Sequence, residues 1–157
     1  MKRFLLLVIA ATTMCLTPAF AENAQNTNMQ ILLDKVKADK KLLIASNMDL
    51  TDQESKDFWP YYEGYQKGLA EINGHMGGII NEYAEAYNKG SVPDALAKKI
   101  INEALKVEGA EVILRREYAE KLTKVLPAHK VARYLQMENK IRAAIKFDLA
   151  ANIPLMD

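Results

Sequence analysis

From Phe58 to Ala86 the apolar residues fall at intervals that alternate four and three: Phe58, Tyr62, Tyr65, Leu69, Ile72, Met76, Ile79, Tyr83 and Ala86. This is the heptad seam of a helix packed lengthwise on another, and Trp59, Ile80 and Tyr87 widen it on one side. Thr51 and Glu54 ahead of it form a capping box, in which each side chain satisfies a backbone N–H left free at a helix start. Asn88-Lys89-Gly90 closes the run, since glycine accepts the left-handed turn past a helix end. Pro60 lies within the pattern and has no N–H to donate. The expectation is either a kink near Lys56 to Pro60 or a long helix that begins only at Pro60.

The flanking segments read as helices too. Met29 to about Ile44 carries Ile31, Leu32, Val36, Leu42 and Leu43 among lysines and aspartates, a modest first helix that ends across Asn47 to Leu50. Ser91 as cap, Pro93 in the first turn and Asp94 at the positive end of the dipole restart a helix. Ile100, Ala104, Val107, Leu114, Tyr118, Leu122 and Val125 carry it to Leu126. Pro127 opens a fourth, with Val131, Tyr134, Leu135, Ile141, Ile145 and Leu149 as its apolar side and Ile153-Pro154 as its end. Two helices of about 35 residues, each roughly 50 Å long and joined by a short turn, fold back on one another. The predicted fold is all-α: an elongated antiparallel helical hairpin of two long helices, with shorter N- and C-terminal helices packed on it.

The start of the chain reads differently. Lys2 and Arg3, an apolar stretch from Phe4 to Ala11, and Ala19-Phe20-Ala21 make a secretory signal peptide over residues 1–21, cleaved after Ala21. Its apolar run is too short to cross a bilayer. A lipid anchor on Cys15 is the alternative, and Met14 before it is bulkier than that chemistry favours. Residues 22–28 form a disordered polar linker, and 29–157 a single exported helical domain. Loss of Lys2 and Arg3 takes the basic residues from 21 to 19 against 20 acidic ones, so the net charge moves from +1 to −1. Such a balance speaks against a nucleic-acid partner, and no later segment is apolar enough to span a membrane. The single cysteine leaves with the signal, so packing alone must stabilise the product.

Catalytic signatures are absent: no glycine-rich phosphate loop, no GxSxG elbow, no HExxH and no cysteine nucleophile. The expectation is a protein that is not an enzyme and carries no cofactor. His75 and His129 are the only histidines. Glu71 and His75, four apart, would share a metal on one helix face, but a solvated histidine explains the same spacing. Five glycines interrupt the long helix, Gly64, Gly68, Gly74, Gly77 and Gly78, each costing about 1 kcal/mol relative to alanine. On the heptad wheel all five fall away from the seam. They mark a dimer or docking face across Tyr61, Gly64, Gly68 and His75, a pliable rod, or drift on a forgiving surface. Phe58, Trp59, Tyr61, Tyr62 and Tyr65 form an aromatic cluster, either core or an exposed binding patch.

Charge divides along the chain. Residues 52–90 hold three lysines and seven acids, net −4, whereas 91–157 hold twelve basic and nine acidic residues, net +3. Between Arg115 and Lys146 nine basic residues face only Glu117, Glu120 and Glu138. Pairs such as Glu117–Lys121, Glu120–Lys124 and Glu138–Arg142 make this a laced, solvated face. The functional alternative is a basic surface for unfolded or acidic polypeptide, or for anionic lipid, with Arg115, Arg116, Lys124, Lys130 and Arg133 as its binding residues.

Leu50-Thr51-Asp52-Gln53-Glu54 before the long helix and Leu126-Pro127-Ala128-His129-Lys130 before the last one, behind a signal peptide, resemble the LTxxQ periplasmic stress proteins of the Spy and CpxP type, with zinc-resistance accessory proteins as cousins. The resemblance covers about residues 29 to 152. Both copies depart from the motif: Glu54 stands where glutamine is usual with Gln53 one place early, and Pro127 and Lys130 replace threonine and glutamine. Phe58-Trp59-Pro60 and Val125-Leu126-Pro127 also suggest an uncharacterised exported helical family close to these. The resemblance implies a curved helical hairpin, often a homodimer, acting on unfolded proteins or on an envelope-stress sensor. The expected function is thus a non-enzymatic periplasmic binding protein whose partner is an unfolded or specific protein. A metal-responsive sensor or buffer and a structural subunit of an envelope assembly are the alternatives, and the scarcity of histidine weighs against metal.

Overall fold

The computed structural model describes residues 39–156. The expected signal peptide, its cleavage site, the linker and the start of the first helix lie outside the described residues. The chain divides between Leu42 and Leu43. Residues 39–42 of the first unit are helical, and every regular element described in the second unit is also an α-helix. These are α1 (residues 43–48), α2 (Asp52–Asn88), α3 (Asp94–Leu122) and α4 (Ala128–Asn152).

Local chemistry sets most of the boundaries. Asp49 ends α1 in the left-handed region, at φ 48°, a conformation that aspartate tolerates better than most residues. The capping box is present as read. The Thr51 hydroxyl accepts from Glu54 N–H at 3.3 Å, and Thr51 N–H donates to Glu54 Oε2 at 2.8 Å. Because α2 starts there, it does not begin at Pro60. It runs through Pro60 as one helix, and proline forgoes the bond to the carbonyl four residues back. Gly90, at φ 95°, takes the left-handed turn that closes α2.

Two expected boundaries move. Ser91 does not cap α3: Pro93 occupies the cap position, extended and with no side-chain bond. And α3 stops at Leu122, not Leu126. Residues 123–126 close as turns, Lys124 N–H reaching Lys121 O and Val125 N–H reaching Leu122 O. Pro127 keeps Leu126 out of helical backbone, since a proline disfavours that conformation in the residue before it.

Helices α2 and α3 pack together, and glycine lets them. A Cβ on Gly64 would lie 2.6 Å from the Tyr118 hydroxyl, and one on Gly68 would lie 2.8 Å from a Leu114 methyl. Further along, Lys99 Nζ meets Glu82 at 2.7 Å. Position on α3 falls as position on α2 rises. Two of the five glycines therefore face α3 and not solvent, which corrects the expectation that all five point away from the packed side. The heptad seam is broader than a line of single knobs, and the small residues are part of it.

In contrast, α4 meets α2 through long side chains. Tyr134 sets its ring edge-on to Phe58 at 5.2 Å and to Tyr65 at 6.1 Å. The main core gathers at this end, from Ile44, Met48, Phe58, Tyr62, Tyr65, Leu122, Leu126, Val131 and Tyr134, all buried. Burial of this many large side chains contributes about 1.5–3 kcal/mol each before chain entropy is counted.

Candidate functional site

Beyond the aromatic core, three regions differ in chemistry. The first is a buried polar row. Gln66 Nε2 donates to Glu138 Oε1 at 2.9 Å and to the Tyr134 hydroxyl at 3.4 Å, and Glu138 is only 2% exposed. Burial, and then the Glu138 carboxylate, holds the Tyr134 phenol far above the usual tyrosine range. The same two causes, with Glu63, push Tyr62 up to about 12. Burial and Glu138 also raise Tyr65, against the opposing charges of Arg142 and Arg115. These phenols stay protonated at physiological pH, and the Tyr134 hydroxyl accepts from Gln66, which suits a structural network and not a nucleophile.

The second region is an open groove of about 430 Å³ between α3 and α4, lined by Glu108, Glu111, Val112, Arg115, Asn139, Arg142, Ala143 and Lys146. Glu111, mostly buried, holds Lys146 Nζ at 3.1 Å and Arg142 Nη1 at 3.7 Å, both on its Oε2. Arg142 Nη2 is shut off from water and has no hydrogen-bond partner. The predicted helical partner of Arg142 was Glu138, but Arg142 reaches across to α3. Glu138 has turned to Gln66 on α2.

The third region is apolar and exposed. On α3, Ile101, Leu105 and Val112 are exposed, Leu105 at 62%, and helical geometry puts the three within a stripe about 40° wide. Ile113 stands beside it at 67%. On α4 the predicted apolar side continues past its covered part, so that Ile145 and Leu149 are exposed, and Phe147 is 78% exposed on the neighbouring face. A smaller cavity of about 220 Å³ lies where the end of α2 meets the end of α4, between Tyr83, Tyr87, Asn152 and Pro154. There the Tyr83 hydroxyl donates to Pro154 O at 2.9 Å.

The predicted binding residues do not form one patch. Arg116, Lys124 and Arg133 are exposed, and Arg115 is half-buried on the groove wall. Lys130 is occupied: its Nζ lies 2.6 Å from both Glu54 Oε2 and the Asp49 carbonyl. It pins the start of α4 to the start of α2 and is not an open client contact. The proposed docking face is likewise divided. Gly64 and Gly68 are covered by α3, Tyr61 packs against the core, and only His75 is exposed. Among the described residues no three His, Cys, Asp or Glu side chains come together to hold a metal, and no helix is long and apolar enough to cross a membrane.

Sequence reasoning missed the groove and the exposed stripe. Glu111 is flanked by Ala110 and Val112 in ordinary helical sequence, and only the arrival of α4 buries it. Ile101, Leu105 and Val112 follow helical spacing, but the parallel run through Ile100, Ala104 and Val107 carries the same signal and competes for the apolar face. No family model, no curated protein and no solved structure matches this chain.

Proposed function

We propose that this chain is a non-enzymatic binding protein of the bacterial envelope that holds unfolded or partly folded polypeptide. The observation that carries the reading is the exposed apolar surface of α3 and α4, with Ile101, Leu105, Ile113 and Phe147 all more than half exposed. A single exposed leucine needs no explanation, but several large side chains on one pair of helices mark a contact surface. Cations stand next to it: Arg116 lies one helical turn beyond Val112, and Lys146 sits beside Ile145 and Phe147. Apolar contact gives affinity without sequence preference, while the charges keep the free protein soluble. In this reading α2 and α3 form an antiparallel hairpin, and the aromatic end keeps it folded while its apolar flank is engaged.

The test is suppression of aggregation. The purified protein in several-fold excess should slow light scattering by a reduced or denatured model client. The double variant Ile101→Ser/Leu105→Ser should lose most of that protection while keeping its helical circular dichroism. Undiminished protection by the double variant, or none by the wild type, defeats the proposal.

A further inference from the structure

We infer that the groove between α3 and α4, which borders the apolar surface proposed to hold clients, is an oxyanion-binding site that takes a phosphate group. Four charged side chains frame it in two helical steps: Glu111 and Arg115 four apart on α3, and Arg142 and Lys146 four apart on α4. Glu108 and Asn139 complete the polar lining, so three cations meet two carboxylates.

The pairing inside this frame is incomplete. One oxygen of Glu111 receives both Lys146, at 3.1 Å, and Arg142 Nη1, at 3.7 Å. The second distance is too long for a hydrogen bond. The guanidinium fork of Arg142 is therefore not engaged in the two-pronged fashion that matches a carboxylate or phosphate. Its Nη2 is buried with no acceptor, an arrangement that proteins avoid because a charged donor loses its hydration and gains nothing in return. Arg115, on the same wall, has no ion pair among the described residues.

An anion with several oxygens supplies the missing acceptors once Arg142 turns its buried Nη2 toward the groove. Lys146 is half exposed and can turn toward an anion at the groove mouth while still standing between it and Glu111, and Arg142 and Arg115 line the same groove. A phosphate fits the charge better than a second carboxylate, because it offers acceptors to both arginines and to Lys146 together. The groove, at about 430 Å³, has room for an organic group attached to that phosphate.

Titration calorimetry of the purified protein with inorganic phosphate, at constant ionic strength, tests the site. Saturable one-to-one uptake is expected at concentrations up to about 10 mM. Arg142→Lys, which keeps the charge and removes the fork, and Arg115→Gln should each weaken it roughly tenfold or more. Lys67→Gln on exposed α2 surface should leave it unchanged. Flotation with phosphatidylglycerol vesicles separates the sources. Uptake of free phosphate means a soluble ligand, whereas binding only to vesicles, lost in both arginine variants, means a lipid headgroup. Circular dichroism establishes that each variant is folded, and should Arg142→Lys fail to fold, Arg115→Gln decides. The inference is overturned if neither phosphate nor vesicles bind, or if binding persists in the folded arginine variants.

Discussion

The two halves of α2 carry the same four-and-three apolar spacing and end up in different surroundings. In the first half, Phe58, Tyr62 and Tyr65 are buried by α1, α3 and α4 together. In the second half only Tyr83 is buried; Ile72, Met76 and Ile79 stay partly exposed. Gly74, Gly77 and Gly78 lie in this half with nothing within 4 Å of where a Cβ would be. The seam specifies that α2 packs on something along its length. How deeply each residue is buried depends on how many partners arrive, and the aromatic rings of α4 arrive only at one end. A protein built this way has a firm end and a looser end on the same helix, and the exposed apolar residues of α3 and α4 lie largely toward the looser one.

The sharpest way to break that contrast is to remove one seam residue from each half. Phe58→Ala empties a site in contact with Trp59, Tyr62 and Tyr134 and should cost about 3–5 kcal/mol. Ile79→Ala, at a half-buried position, should cost on the order of 1 kcal/mol. Urea denaturation read by circular dichroism gives both values. Equal losses would show that the second half is as tightly packed as the first.

The glycines sharpen the same contrast with a change of sign. Gly77→Ala adds a methyl into open space and should stabilise by about 0.5–1 kcal/mol, the gain from a better helix former. Gly64→Ala drives its methyl at the Tyr118 ring, whose nearest carbons lie at 3.2 and 3.3 Å. That ring also stacks edge-on to Tyr65 at 5.6 Å, so overpacking of about 1–3 kcal/mol outweighs the propensity gain. Gly68→Ala falls between them, since the obstacle is the rotatable end of Leu114. Thermal melts in which Gly64→Ala is as stable as wild type would mean that the close approach of α2 and α3 does not depend on glycine.

What could be read from the sequence follows the range of the interactions involved. The capping box, the stop at Gly90 and the helix opened by Pro127 are set by neighbours within a few residues, and all three are found. The all-helical class follows from periodicity over tens of residues. The inward turn of Gly64 and Gly68 was missed because a strict seven-residue wheel marks one line, whereas α3 covers a band. The groove was missed for a deeper reason. Glu111 and Arg142 are 31 positions apart, and Glu138 offers Arg142 a plausible partner on its own helix. Only the placement of α4 beside α3 decides between them. For the same reason Lys130 looked like an open cation: its two partners, Asp49 and Glu54, lie far back in the chain.

That pin is the smallest of the expected effects and the most specific to the firm end. Glu54 is held below its ordinary carboxyl pKa, first by the hydrogen bond from Lys130 and then by the Thr51 backbone N–H. A carboxylate with a lowered folded pKa contributes stability that is present above the unfolded value, 4.5, and fades as pH falls through the folded one. Lys130→Met removes the largest cause. The gap in melting temperature between wild type and this variant should therefore be constant at neutral pH and narrow as pH drops below 4.5. It should not close, because Lys130 also donates to the Asp49 carbonyl, an acceptor that does not titrate. A gap that is flat across the acid range would assign the role of Lys130 to the carbonyl alone, whereas a gap that vanishes would assign it to Glu54.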